Sequence, residues 1–359
     1  MIDCGVKKLK NLFIMGNPGS GKTAVALGIA QKLRQEGYNV GYFKPVGNGR
    51  GFSGHTDGDA VLMKKVLDMK APLERITPLL AGPSHLTGYK HMDNALENMK
   101  SAYEEVSRGC DVVLMDGSFY PYILASCNLD SVSLAKEFNA KVLLVIKIED
   151  DYSLDRAVFY NRYLQSANVP VFGNIFSNVP RPLFAKTEGI FAPILAGMGF
   201  KTAGIIPSRA EIASPTVAEY YDVLGGEVLA GGEHMYRMVE DVVIGAMNSE
   251  SALTYLRRTA NKAVIMGGDR ADLALAALET HTSVLILTGG LYPDVKVIAR
   301  AAEKEVPVIL VHTDTYKTIE KLERVSRHIQ PTDRVAINIA LENIEEYCDW
   351  KALKEGLEA

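Results

Sequence analysis

Cysteine is scarce in this chain. Four occur among 359 residues, Cys4, Cys110, Cys127 and Cys348, at wide and irregular intervals with no C-x-x-C pair. That spacing excludes a disulfide framework and a zinc knuckle. The seven histidines are equally scattered, none at the i, i+4 spacing of a helical metal site. An excess of one charge is missing too: 39 Lys plus Arg stand against 43 Asp plus Glu, a formal charge of −4. With no block of five like charges, neither a disordered chain nor a generic nucleic-acid surface is expected. Long hydrophobic runs are also absent. The apolar stretches VLLVI (142–146) and VPVILV (306–311) are strand-length, far below the ~18 residues of a membrane span. The residues before the first glycine loop hold too few apolar side chains for a signal segment, so no membrane association and a cytoplasmic location are expected.

What is present is an α/β rhythm. Apolar residues make up 47% of a length that suits two domains. Short β-branched runs at 11–15, 39–44, 111–115, 141–146, 170–176 and 202–206 alternate with helical stretches at 22–36, 59–69, 93–108, 152–167 and 182–198. Continuous apolar strands of this kind are buried on both faces, which predicts a mostly parallel sheet flanked by helices. Residues 71–92, rich in proline and glycine, read as a long loop or a broken helix. Near residue 210 the rhythm pauses. It restarts with strands in 239–247, 263–268, 284–288 and 306–311, two of them running into Gly-Gly and then a helix, and a helix at 314–326 follows the last. We therefore expect domains at 1–210 and 211–330, followed by a helical tail at 331–359.

The strongest signal is GNPGSGKT, residues 16–23, a full G-x-x-x-x-G-K-[ST] between a strand and a helix. Gly16, Gly19 and Gly21 would let the backbone turn its N–H groups toward phosphate oxygens at a helix N-terminus, with Asn17, Pro18 and Ser20 completing the loop. Lys22 would neutralise the β- and γ-phosphates, the Thr23 hydroxyl would hold Mg²⁺, and Ala24 would complete the ATP-binding set. Lys44, in FKPVGNG (43–49), ends the second strand, where open parallel sheets place ligands; it is the second candidate catalytic residue. Asp116, after four apolar residues in VVLMDG (112–117), stands where a Walker B carboxylate would. Asp59 opens a helix in DGDA (57–60); because Asp57 is the better cap, Asp59 is left as a second metal candidate.

Together with NIFSNVP (174–180), these segments resemble the dethiobiotin synthetase-like P-loop proteins. That group includes the N-terminal half of long bacterial phosphate acetyltransferases and the cobyrinic acid diamide synthases. The resemblance covers 10–207. It implies that Lys44 is a substrate-side lysine, that Asp59 and Asp116 are magnesium carboxylates, and that Asn178 recognises adenine. The second half, about 215–325, resembles the DRTGG domain through Asp269, Arg270, Thr288, Gly289 and Gly290 in MGGDRAD and LTGG. By resemblance that domain accompanies enzymes and nucleotide sensors, and its named residues are candidates for a regulatory ligand.

Departures reshape the expectation. Asp116-Gly117 leads into the bulky SFYPYI (118–123), which argues against biotin synthesis, and Cys348 in EEYCDW is in the wrong setting for a glutaminase nucleophile. Acetyl transfer belongs, by resemblance, to a further domain outside these residues. The expected function is a Mg·ATP-binding regulatory or metabolite-sensing ATPase linked to acetyl and central metabolism. The alternative is an ATP-dependent ligase or kinase acting on a small carboxylate. A homodimer or larger assembly, a small-molecule metabolite and a separately encoded enzyme are the expected partners.

Overall fold

Five buried apolar residues in a row cannot face water on either side, and the computed structural model places such runs at the centre of a parallel sheet. It describes residues 10–48, 57–82, 94–247, 249–322, 325 and 327–358. Cys4, Gly49, the 83–92 part of the expected loop and parts of the expected helix at 314–326 lie outside them. The chain forms two compact units, Met1–Ile212 with Ile329–Ala359, and Ala213–His328.

In the first unit the strands are β1 (Lys10–Gly16), β2 (Val40–Phe43), β3 (Val46–Asn48), β4 (Leu79–Ala81), β5 (Val112–Asp116), β6 (Lys141–Lys147), β7 (Val171–Val179) and β8 (Thr202–Pro207). Six of them form one sheet in the order β2-β5-β1-β6-β7-β8, and every pairing is parallel. Leu12 to Met15 of β1 and Val142 to Val145 of β6 are fully buried. After β1 the chain builds the β5 and β2 side first and the β6 side later, so the order reverses beside β1, where ligands bind in open α/β sheets. Helix α1 (Lys22–Gln35) starts at the end of β1, and α2 (Gly58–Val66) is capped by Asp57, whose side chain accepts from the backbone N–H of Asp59 and Ala60.

Three local differences from expectation have physical causes. Within the stretch expected as a loop or broken helix, a helical turn at Leu73–Ile76 leads to a strand that was not expected, β4, which pairs with β3. The expected helix at 182–198 is interrupted by a π-helical turn, Thr187–Phe191. Pro193 lacks the N–H of a regular turn and crowds the preceding one, which a wider turn relieves. A short helix, Ser131–Glu137, was not expected from its length; Asp130 caps it by accepting from Val132 and Ser133 N–H.

The C-terminal segment belongs to the first unit and forms the helices Arg334–Tyr347 and Trp350–Glu358. Arg334–Tyr347 lies so close to α1 that a Cβ on Gly28 would fall 2.1 Å from the Ala340 carbonyl oxygen. The last helix lies at the amino ends of the strands, opposite the glycine loop. Lys10 and Lys141, the first residues of β1 and β6, donate to the carbonyls of Glu358 (3.0 Å) and Gly356 (2.9 Å). Burial pushes the Cys348 thiol up to about 12, so it stays protonated at neutral pH.

The second unit carries β9 (Glu227–Ala230), β10 (Asp241–Ile244), β11 (Lys262–Gly267), β12 (Thr282–Thr288) and β13 (Val308–Leu310). The order is β10-β11-β12-β13-β9, parallel except for β9. Alternate residues supply two cores. Val264, Leu285 and Leu287 pack with Leu273 and Val297 on one face, while Ala263, Ile265 and Ile286 pack with Val217 and Tyr220 on the other. Among the described residues no helix is long and apolar enough to cross a membrane.

Candidate functional site

The glycine loop is shaped by what surrounds it. A Cβ on Gly16 would lie 2.2 Å from the Val145 carbonyl oxygen and 2.7 Å from Ser20 Oγ, so only glycine fits. Gly19 and Gly21 adopt left-handed φ of 67° and 78°. Three neighbours hold the loop from outside. Tyr160 donates its hydroxyl to Asn17 Oδ1 (2.7 Å), Ser177 donates to the Ser20 carbonyl, and Asn178 Nδ2 donates to the Gly19 carbonyl (3.0 Å). Asn178, expected to recognise adenine, thus sits at the loop with its amide on the backbone. Pro18 and Ala24 are half-buried beside it.

Lys22 folds back over its own loop, donating to the carbonyls of Gly16 (3.0 Å) and Asn17 (3.1 Å). It is half-buried, more enclosed than an ordinary helix-start lysine. Burial draws its pKa down to about 8, against the pull of the Asp116 carboxylate.

Beside the lysine lies a buried carboxylate. Asp116, 1% exposed, accepts through Oδ2 from Tyr42 OH (2.8 Å) and Thr23 Oγ1 (3.2 Å). Its Oδ1 is buried without a hydrogen-bond partner among the described residues. Burial raises the Asp116 pKa, opposed by Lys44 and assisted by Asp59. Tyr42 is held well above the usual phenol range by burial and by Asp116.

Lys44 is 5% exposed at the end of β2 and donates to Asp57 Oδ1 (3.1 Å) and to Asp59 Oδ2. Burial works to lower its pKa, but Asp59 and Asp57 outweigh it and hold the ammonium above the ordinary lysine range. Asp59, a candidate metal ligand by sequence, is therefore an ion-pair partner of Lys44 here. Asp57 does more than cap α2, since it also accepts from Lys44 and from the Asn48 N–H (2.9 Å).

A divalent cation fits this donor set in one way. The Thr23 hydroxyl and the orphaned Asp116 oxygen are hard oxygen donors at the loop, as Mg²⁺ prefers, with its remaining positions left to water and phosphate. A cage made wholly of protein does not fit: no group of three or more His, Cys, Asp or Glu side chains is placed to hold a metal among the described residues. Sequence reasoning missed Tyr42, Tyr160 and Asp57's pairing with Lys44. For Tyr42 the available signal was a hydroxyl in a strand that is otherwise apolar and buried.

In the second unit, β11 and β12 end side by side with Gly267 opposite Thr288, which brings Asp269, Arg270, Gly289 and Gly290 to one edge. The two turns touch through backbone, since a Cβ on Gly268 would fall 1.7 Å from the Leu291 carbonyl oxygen. Arg270 pairs with Asp272 (3.1 Å) rather than with Asp269 and also donates to the Met247 carbonyl (3.1 Å). Thr288 is buried and turned inward, its hydroxyl shared with Met266 O and Thr315 Oγ1. Asp269 and Gly289 remain exposed.

A phosphate-binding loop at the switch point of a parallel sheet, followed by a smaller α/β unit, defines a P-loop NTPase-like domain joined to a second domain. The AAA-domain family profile matches residues 10–216, more than half of the chain, and the chain belongs to that family. The DRTGG domain profile matches residues 219–325. Both agree with the expected pairing of a dethiobiotin synthetase-like domain with a DRTGG domain. A phosphate acetyltransferase of Pseudomonas putida is 26% identical over 348 residues, covering 92% of this chain and 49% of that protein. Another, of Nitrosomonas europaea, is 26% identical over 332 residues, covering 88% and 47%. The chain thus spans about half the length of these relatives. A solved structure of the CBS and DRTGG domains of the regulatory region of Clostridium perfringens pyrophosphatase, complexed with its activator diadenosine tetraphosphate, aligns over 47% of this chain and 85% of that one, with 18% identity and a TM-score of 0.28.

Proposed function

We propose that the first unit binds Mg·ATP and that the protein is a regulatory or metabolite-sensing ATPase connected to acetyl and central metabolism. The observation that carries the nucleotide reading is the buried Asp116 Oδ1 without a partner, beside Thr23 at a complete phosphate-binding loop. A buried carboxylate oxygen left bare is costly unless a ligand completes it. Lys22 would exchange the carbonyls of Gly16 and Asn17 for phosphate oxygens, and the glycine-loop N–H groups would take the remaining phosphate charge. Asn178 would reach adenine from its place at the loop. When bound, Mg²⁺ would screen the β- and γ-phosphates.

The regulatory part of the reading is supported by the pairing of this domain with a DRTGG domain and by relatives that are about twice as long. It entails a small-molecule effector, a homodimer or larger assembly and a separately encoded enzyme partner. Asp269, Arg270, Thr288, Gly289 and Gly290 are the proposed regulatory ligand site. Arg270→Ala should abolish any effect of an anionic metabolite on ATP affinity without changing the mass measured by light scattering.

A second reading, an ATP-dependent ligase or kinase for a small carboxylate, is favoured by one feature. Lys44 is kept charged between Asp57 and Asp59 beside Asp116, suited to a carboxylate or a transferring phosphoryl group. Calorimetric titration of ATP with Mg²⁺ and with a chelator tests the common core. Absence of heat in both would overturn it. Phosphorus NMR of the protein with ATP and a panel of small carboxylates separates the readings: a new acyl-phosphate or phosphoester signal selects the second, and metabolite-dependent release of inorganic phosphate alone selects the first.

A further inference from the structure

Between the first turn of α1 and the carboxyl ends of β7 and β8 lies a small, partly enclosed cavity. Gly21, Ala24, Asn178, Ile206, Ile344 and Asn343 line it. Its outer wall, the helix Arg334–Tyr347, comes from a segment beyond both family matches, which end at residues 216 and 325. Asn343 is 6% exposed, and its Oδ1 is buried with no hydrogen-bond partner among the described residues.

The walls cannot supply that partner. Ala24, Ile206 and Ile344 are apolar, Ser177 donates its hydroxyl to the Ser20 carbonyl, and Asn178 Nδ2 is engaged with the Gly19 carbonyl. An amide oxygen in such a place calls for a donor brought from outside. The apolar side chains around it suit a group that is otherwise hydrophobic.

Strand order says which end of a ligand arrives here. Asp116 and Lys44 follow β5 and β2, on one side of β1, whereas Asn178 and Ile206 belong to β7 and β8, on the other. A nucleoside triphosphate held at Gly21 with its terminal phosphates toward Asp116 and Lys44 extends its sugar and base toward the cavity. The cavity is small, so it has room for the rim of a ring and not for a whole base.

We infer that Asn343 is a base-recognising residue whose amide oxygen accepts a hydrogen bond from a ring amino group, so that the C-terminal helix completes the nucleotide site. This rests on the reading that the glycine loop holds a nucleoside triphosphate. It accounts for a polar side chain in an apolar wall, and it makes base selectivity depend on a segment the chain reaches only after its second domain.

The test uses the full chain and three probes: ATP, inosine triphosphate, in which a carbonyl replaces the amino group, and inorganic tripolyphosphate. The unaltered protein should bind ATP about tenfold more tightly than inosine triphosphate, the scale of one well-placed hydrogen bond. Asn343→Leu should remove that preference while leaving tripolyphosphate affinity unchanged. Asn343→Asp keeps an acceptor in the same place, and the ATP to inosine triphosphate ratio cancels its added charge, so the preference should survive. An unchanged ratio in Asn343→Leu overturns the inference, as does its loss in Asn343→Asp. Should Asn343→Leu fail to fold, the Asn343→Asp ratio decides. Equal affinity of the unaltered protein for ATP and inosine triphosphate would leave the loop reading standing and refute this one. Failure to bind any of the three probes refutes both.

Discussion

Tyr42 and Asp116 meet at 2.8 Å with both side chains shielded from solvent. The phenol donates to the carboxylate and works to lower its pKa, against the burial that raises it. Removing the hydroxyl takes away a partner of the ionised form only. Tyr42→Phe should therefore raise the Asp116 pKa further, and the acid limb of Mg·ATP binding should move to higher pH, by about one unit for a hydrogen bond to a charged group. Calorimetric affinity measured from pH 5 to 9 checks this; an unmoved limb would show that Tyr42 only fills space.

Lys22 makes a different pH prediction. Its pKa in the folded protein is drawn down to about 8 from 10.5. Between those values the unfolded chain holds a proton that the folded chain has released, so stability without ligand should rise with pH across that window. Phosphate restores the charged form, and ATP binding near pH 8.5 should take up a proton. Titrations in buffers of different ionisation enthalpy measure that uptake. Lys22→Ala should abolish both the uptake and the binding while leaving the circular dichroism spectrum unchanged.

Asp116→Asn keeps the shape of the side chain and removes its charge. Nucleotide affinity with Mg²⁺ should fall by ten-fold or more, by analogy with the cost of losing one charged contact. Affinity in chelator should change much less. Equal losses under the two conditions would mean that the carboxylate supports the loop and no cation.

Much of this site was legible in the sequence because glycines and charged residues at strand ends have few other uses. Residues 16–23 could be assigned from spacing, and the parallel sheet from uninterrupted apolar strands. What escaped was pairing across distance. Tyr42 and Asp116 are 74 residues apart, and nothing local to either says that they share a face. Asp57 was legible as a cap, but its contact with Lys44 depends on how β2 and α2 meet. In the second unit the neighbouring glycine turns were evident from repetition, yet Arg270's choice of Asp272 over Asp269 depends on backbone direction at the turn. The strand β4 was hidden for another reason, because three-residue strands carry too short a pattern to register.

Gly28 offers a test of packing away from the nucleotide. A Cβ there would press on the Ala340 backbone, which cannot swing aside as a side chain could. Gly28→Ala should lower stability by about 1–3 kcal/mol, the range for overpacked cores, and should lower the melting temperature by several degrees. An unchanged melting curve would show that α1 and Arg334–Tyr347 separate easily.

The first unit leaves its own sequence at Ile212 and resumes it at Ile329, which sets an order of events during synthesis. The helix that meets Gly28 is translated only after the whole of Ala213–His328, so a ribosome-bound chain exposes that flank of α1 for the time needed to make more than a hundred residues, several seconds or longer at ~5–20 residues per second. The P-loop is among the earliest parts made and the wall of its neighbouring cavity among the last. A nascent chain arrested anywhere within the second unit would carry the complete loop and both lysines, Lys22 and Lys44, while still lacking Asn343.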